Sequence, residues 1–284
     1  MNVVIFSFLS MVSLGITDFT AGVYGRKEGV WSAIFLNEII GLLLISIIIL
    51  FKPTLVIDLV SYPLFDISLL VFASTLNFLA IACLIYGFSV GNIGLVSALG
   101  SSFNLIVIFL TWLFLGEGLT LVGLIFLFVL IIGVFLSMID SSNKNYMAKG
   151  SIWGLGALLM WGISFFLMIF LSREISLFTL LFSNFVVGFL LSFIYFIVKR
   201  RSVLLKKSIW LIVVSAFAEL MAYVFLYLGG SVEGSGGVVG AITGSYAVIS
   251  VLLGYFFLKE KLSKTQIIGI VLILISITAI SIFN

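Results

Sequence analysis

The chain contains no histidine, a single cysteine and two prolines, and only 9% of its 284 residues are charged. Each scarcity excludes something. Without histidine there is no HExxH-type metal site and no histidine-centred nucleophile triad. Cys83 alone can form no disulfide within the chain and no CxxC motif, so it carries no information about redox compartment. No Walker-type phosphate loop occurs. Two prolines leave the helices mostly unbroken and the loops short. A soluble domain carries about 25% charged residues. Here 63% of residues are hydrophobic and the mean hydropathy is +1.41, so there is too little polar surface to face water. The net charge of +3 is small and lies in loops, which gives no sign of a nucleic acid partner.

What the chain has is long apolar runs. A helix needs about 20 residues to cross ~30 Å of hydrocarbon. The runs fit that length and lack the two-residue alternation of barrel strands. They predict an all-α integral membrane fold with ten transmembrane helices, at 3–23, 30–51, 67–87, 92–114, 119–138, 150–171, 176–198, 208–229, 235–257 and 265–282. The N-terminus has no basic leader and reads as the first span rather than a signal peptide. The most polar stretch, Asp140 to Lys149, divides the chain into residues 1–139 and 150–284, with five spans each.

The two parts repeat one another. ALGSSFNLIVIFLTWLFLGEGLT from Ala98 and AITGSYAVISVLLGYFFLKEKLS from Ala241 share 8 identities in 23 gapless positions. Glu117 recurs as Glu260 and Ser102 as Ser245. At a shift of 147, Gly15, Arg26, Asn37 and Gly41 match Gly162, Arg173, Asn184 and Gly188; at 141, Tyr86 matches Tyr227. Because five is odd, the second copy must enter the membrane from the opposite side, which makes two inverted repeats.

Three carboxylates fall inside apolar spans: Asp18, Glu38 and Glu219. A charge at mid-bilayer costs at least about 2.5–3.5 kcal/mol, so each should face a cavity or a partner. Asp18 lies about 9 Å and Glu38 about 12 Å from the loop joining their helices, entering from the same end, where they can approach one another. No Lys, Arg or His sits deep in a span, so the interior favours protons or cationic groups over anions. Glu219, Tyr223 and Tyr227 share one face of their helix at spacing four. Trp161 is a candidate cavity wall. Asn37 and Asn184, like Asn77 and Asn104, are in-membrane polar groups that serve as interhelical glue or as ligands. Aligned by the repeat, Asp18, Glu38 and Glu219 stand opposite Phe165, Phe185 and Phe78, so the carboxylates mark where the copies diverge.

Small residues serve close helix packing in lipid. Gly236, Gly240 and Gly244, with Ala241 and Ser245 beside them, form one stripe; Gly87, Gly91, Gly94, Ala98 and Ser102 form another. The repeated Glu117 and Glu260 are read as serving the turn or the start of the following helix, where Thr120 and Ser263 can cap. Loop charge sets orientation. Twelve basic residues follow spans 1, 5, 7 and 9, against Lys52 and Arg173 on the other side, which places both termini outside.

Ten spans in two five-span repeats, the paired LGEGLT and LKEKLS turns and the GITDFTAG run from Gly15 to Gly22 resemble the EamA-type branch of the drug/metabolite transporter superfamily. The resemblance implies alternating-access secondary transport, with export of amino acids, metabolites or drugs through a central cavity. It also implies a cytoplasmic N-terminus, against the loop charges. Many members carry a proline where this chain has Asn104 and Ala247, so nothing here demands a kink at those positions. The sequence thus points to a multi-pass cell-membrane exporter of a small solute, monomeric or dimeric, without cofactor, metal or catalytic residue and with protons as a candidate coupling ion. The rival readings are a receptor-like binding protein without transport and a passive channel.

Overall fold

The computed structural model describes residues 2–51, 62–115, 120–139, 148–199, 208–230, 232, 239 and 242–283. These form eleven helices of at least nine residues: α1 (Asn2–Glu28), α2 (Val30–Phe51), α3 (Leu64–Val90), α4 (Ile93–Ser101), α5 (Asn104–Leu115), α6 (Leu121–Met138), α7 (Ser151–Leu171), α8 (Leu177–Lys199), α9 (Ile209–Gly230), α10 (Ala247–Leu258) and α11 (Lys264–Phe283). Among the described residues seven helical segments are long and apolar enough to cross a membrane, Ile93–Phe114 counting as one, and three shorter apolar helices accompany them. Gly236, Gly240, Ala241, Glu117 and most of the 140–149 segment lie outside the described residues.

The exterior is apolar. Leu50, Phe51, Phe128, Phe135, Ile197 and Val198 are each more than half exposed, an arrangement that lipid tolerates and water does not. The first helix-to-helix connection is one residue, Gly29, whose φ of +112° few other residues adopt.

One expectation needs correction. The 92–114 run reads as a single unbroken helix, yet it breaks at Ser102 and Phe103, and the second copy breaks at Ser245 and Tyr246. No proline is involved. The backbone N–H groups of Ser102, Phe103, Leu105 and Ile106 donate to carbonyls three residues back, at 3.0–3.1 Å. Those of Ser245, Tyr246, Val248 and Ile249 do the same at 3.0–3.2 Å. These are tightened 3₁₀-type turns within otherwise α-helical spans, and they fall at the same repeat positions.

Packing follows the repeat as well. α1 runs along α9 and α3 along α7; α2 packs on α8, α6 on α11 and α4 on α10. Exchanging each helix for its repeat counterpart turns α1–α9 and α3–α7 into one another and leaves α2–α8 and α6–α11 unchanged; α10 is the counterpart of α5, and its contact with α1 mirrors that of α5 with α7. Gly15 admits Ile249 against its backbone, and its counterpart Gly162 admits Ile106, which is the counterpart of Ile249. The small stripe behaves as packing: Gly87 meets Val96 and Trp153, Gly94 meets Val251, and Ala98 clusters with Ala247 and Ile270. Ser102 is fully buried and donates to the Ala98 carbonyl, while Gly244 and Ser245 lie at the second break.

Candidate functional site

The spacing of α1 places Leu14, Thr17, Asp18 and Ala21 on one face, and that face closes over a cavity. Asn37 of α2, Ile81, Leu84, Ile85 and Phe88 of α3, Trp161 of α7 and Glu219 and Tyr223 of α9 complete the wall. The cavity holds about 20 Å³, room for about one water.

Five candidate residues named from the sequence therefore converge here: Asp18, Asn37, Trp161, Glu219 and Tyr223. All are at least 97% buried. Asn37 donates its amide Nδ2 to Glu219 Oε2 in a short contact. The Tyr223 hydroxyl lies 3.1 Å from Glu219 Oε1 and 3.2 Å from Asn77 Oδ1. Trp161 Nε1 donates to the same Asn77 Oδ1 at 2.9 Å. Ser97 of α4 donates to Asp18 Oδ2 at 2.6 Å.

Tyr223 has one hydroxyl hydrogen and two acceptors within reach. An ionised Glu219 takes that hydrogen. A protonated Glu219 donates to the Tyr223 oxygen instead, and Tyr223 then donates to Asn77. The chain from Glu219 through Tyr223 to Asn77 accommodates either state without moving a heavy atom. Among the described residues no group of three or more His, Cys, Asp or Glu side chains is placed to hold a metal ion.

The other candidates stand just outside the cavity wall. Tyr227 stacks on Tyr223 at 6.2 Å, and its hydroxyl faces Asn184 without closing a hydrogen bond of normal geometry. Glu38 does not meet Asp18, contrary to the helix-end reasoning. It is 97% buried at the α2–α8 interface, with its carboxylate laid on Gly188. The helices enter from one end, but their rotation turns Glu38 toward α8 and Asp18 toward α4.

Sequence reasoning missed one part of the site: Ser97 gives no signal in a chain rich in buried serine. Asn77, read from the sequence as interhelical glue or a ligand, joins α3 to Trp161 of α7 and Tyr223 of α9. Glu260 also differs from expectation: it serves an earlier helix, not the next one. It accepts from the backbone N–H groups of Ile93 at 3.0 Å and Gly94 at 3.3 Å, at the start of α4, and pairs with Arg26 at 2.8 Å. Arg26 also donates to the Phe88 carbonyl at 2.6 Å and to the Gly91 carbonyl. The ends of α1 and α3, the start of α4 and the turn after α10 are thereby clasped together. Thr120 and Ser263 do cap their helices, accepting from the backbone N–H groups of Gly123 and Gln266.

Seven membrane-length apolar helices among the described residues and an apolar exterior make this chain an integral multi-pass membrane protein, with buried acids beside a small internal cavity. The model of the EamA-like transporter family matches residues 1–139 and 148–282, and the chain belongs to that family. A solved crystal structure is similar, with a TM-score of 0.66 over 98% of this chain and 94% of that one. At 14% identity the likeness extends to the fold alone. No curated protein matches the chain.

Proposed function

We propose that this protein is a secondary transporter that moves a small polar or amphipathic solute by alternating access, coupled to protons, and that it exports the solute across the cell membrane. In this reading ten spans form two inverted halves, residues 1–139 and 150–284, joined by 140–149. The exchange-symmetric packing and the paired breaks at Ser102–Phe103 and Ser245–Tyr246 support the two-half arrangement. Twin breaks in otherwise continuous spans are where a bundle bends most easily, because the i−4 ladder is already interrupted.

The observation that carries the reading is the buried Glu219–Tyr223–Asn77–Trp161 chain beside Asp18. It draws on helices from both halves and borders the cavity. Ionisable groups at that depth are expensive in a membrane and mark solute or ion pathways. The Arg26–Glu260 clasp then serves as one of the contacts that close the bundle at the end where α1 stops.

Counterflow tests the proposal. Purified protein in liposomes, loaded with unlabelled solute and given labelled solute outside, should show transient accumulation that saturates. A passive channel equilibrates without overshoot, and a binding protein shows no uptake.

A further inference from the structure

Beside the Arg26–Glu260 clasp four lysines gather on one surface, and we infer that this surface seats the phosphate headgroups of anionic phospholipid. The seat lies at the membrane boundary, away from the cavity, and stands on its own geometry whether or not the protein transports.

The short connection between α3 and α4, Gly91 and Asn92, brings the lysines together. Lys149, just before α7, lays its carbonyl on Gly91, where an added Cβ would overlap it. Asn92 Nδ2 donates to the Lys261 carbonyl at 3.0 Å. Lys259 stands two residues before Lys261 in a left-handed turn, with a φ of +53°, and Lys264 opens α11 three residues after it. All four lysines are exposed.

The surface keeps its positive charge because the described acids near it are already engaged. Glu260 pairs with Arg26 and accepts from the backbone N–H groups of Ile93 and Gly94. Glu28, at the end of α1, accepts from Ser208. The other end of the bundle differs. There the Ser176 N–H donates to the Tyr62 hydroxyl at 3.2 Å, joining the starts of α3 and α8, and the described charges are Arg173 against Asp66 and Glu174.

A second feature, independent of charge, marks the same boundary. Tyr86 and Trp153 form a ring pair at 4.5 Å and are 39% and 37% exposed. Tyr86 precedes Gly91 by five residues, Trp153 follows Lys149 by four, and the exposed Tyr255 precedes Lys259 by four. At about 1.5 Å per residue each ring sits roughly 6–8 Å inside the lysines. Tyr and Trp favour the level where acyl chains meet headgroups. The ammonium groups then stand at phosphate depth, where basic residues attract anionic lipid. A zwitterionic headgroup brings a choline cation of its own, which the lysines repel.

Three probes separate these features: dioleoylphosphatidylglycerol, dioleoylphosphatidylcholine and glycerol 1-phosphate. Each is titrated against the full-length protein in neutral detergent, with thermal unfolding as the readout. Phosphatidylglycerol should bind at least about tenfold tighter than phosphatidylcholine, as the combined attraction of several lysines implies. Raising the salt to about 0.5 M should shrink that advantage, because exposed charges are screened. Glycerol 1-phosphate, which carries the charge without the chains, should give no shift over the same range. Lys149→Gln combined with Lys261→Gln should weaken phosphatidylglycerol about tenfold, and Arg173→Gln at the opposite end should leave it unchanged. Should the double variant fold poorly, the salt titration reads the same attraction in the unaltered protein. Equal affinity for the two lipids, a shift with glycerol 1-phosphate that matches phosphatidylglycerol, an advantage that survives salt, or unchanged binding in the double variant overturns the inference. None of these readouts involves solute movement, so the transporter reading stands or falls separately by counterflow.

Discussion

Glu38 rests its carboxylate on the backbone of Gly188, where an added Cβ would overlap both the carboxylate carbon and its oxygens. The repeat counterparts make the same contact: Phe185 lays its ring on Gly41. One socket thus holds an acid in one copy and a benzene ring in the other. The geometry belongs to the repeat, and the chemistry belongs to the place where the repeat diverges.

Replacing Gly188 with alanine should therefore cost about 1–3 kcal/mol, the range for overpacking a filled interior. In a Glu38→Ala background the space is vacated and the same change should cost little. Thermal unfolding of the four proteins in detergent gives the coupling directly, and additive effects would mean that the two residues do not compete for one site.

Two tyrosines on one face of α9 should behave oppositely. Tyr223→Phe removes a hydrogen-bonding group beside a buried carboxylate and should lower stability by about 1 kcal/mol. Tyr227→Phe removes a buried hydroxyl that closes no hydrogen bond of normal geometry, so it should be neutral or stabilising. Melting temperatures of the two variants check the difference, since both retain the stacked ring.

The Arg26 clasp should resist conservative replacement. Its guanidinium reaches the Phe88 carbonyl from Nε and both the Gly91 carbonyl and Glu260 from Nη2. Lysine offers a single point of charge and cannot reproduce the fork. Arg26→Lys and Glu260→Gln should each lower stability by about 1–3 kcal/mol, as read by unfolding in detergent. Restored stability with lysine would show that charge alone holds the clasp.

Much of this organisation is legible in the sequence because it is periodic or repeated. Apolar run length gives the helices, and the four-residue spacing of Glu219 and Tyr223 puts both on the cavity. The repeat pairs Gly15 with Gly162 and Gly41 with Gly188 before any contact is known. What was not legible depends on rotation and long-range approach. Nothing local directs Ser97 to Asp18 across 79 positions, or Glu260 to Arg26 across 234. The breaks at Ser102 and Ser245 escaped because proline is the usual sign of a kink, whereas here the turns are made by backbone hydrogen bonds three residues apart. Arg26 also weakens the loop-charge count as a guide to orientation, because its charge is committed to Glu260 and two carbonyls.

The central claim is that Glu219, held between Asn37 and Tyr223, couples solute movement to protons. The most direct test compares wild-type protein and Glu219→Gln in liposomes, with solute uptake driven by an imposed pH gradient and solute exchange followed at equal pH. The account predicts that Glu219→Gln loses gradient-driven uptake while retaining exchange. Full gradient-driven uptake in the variant would contradict it.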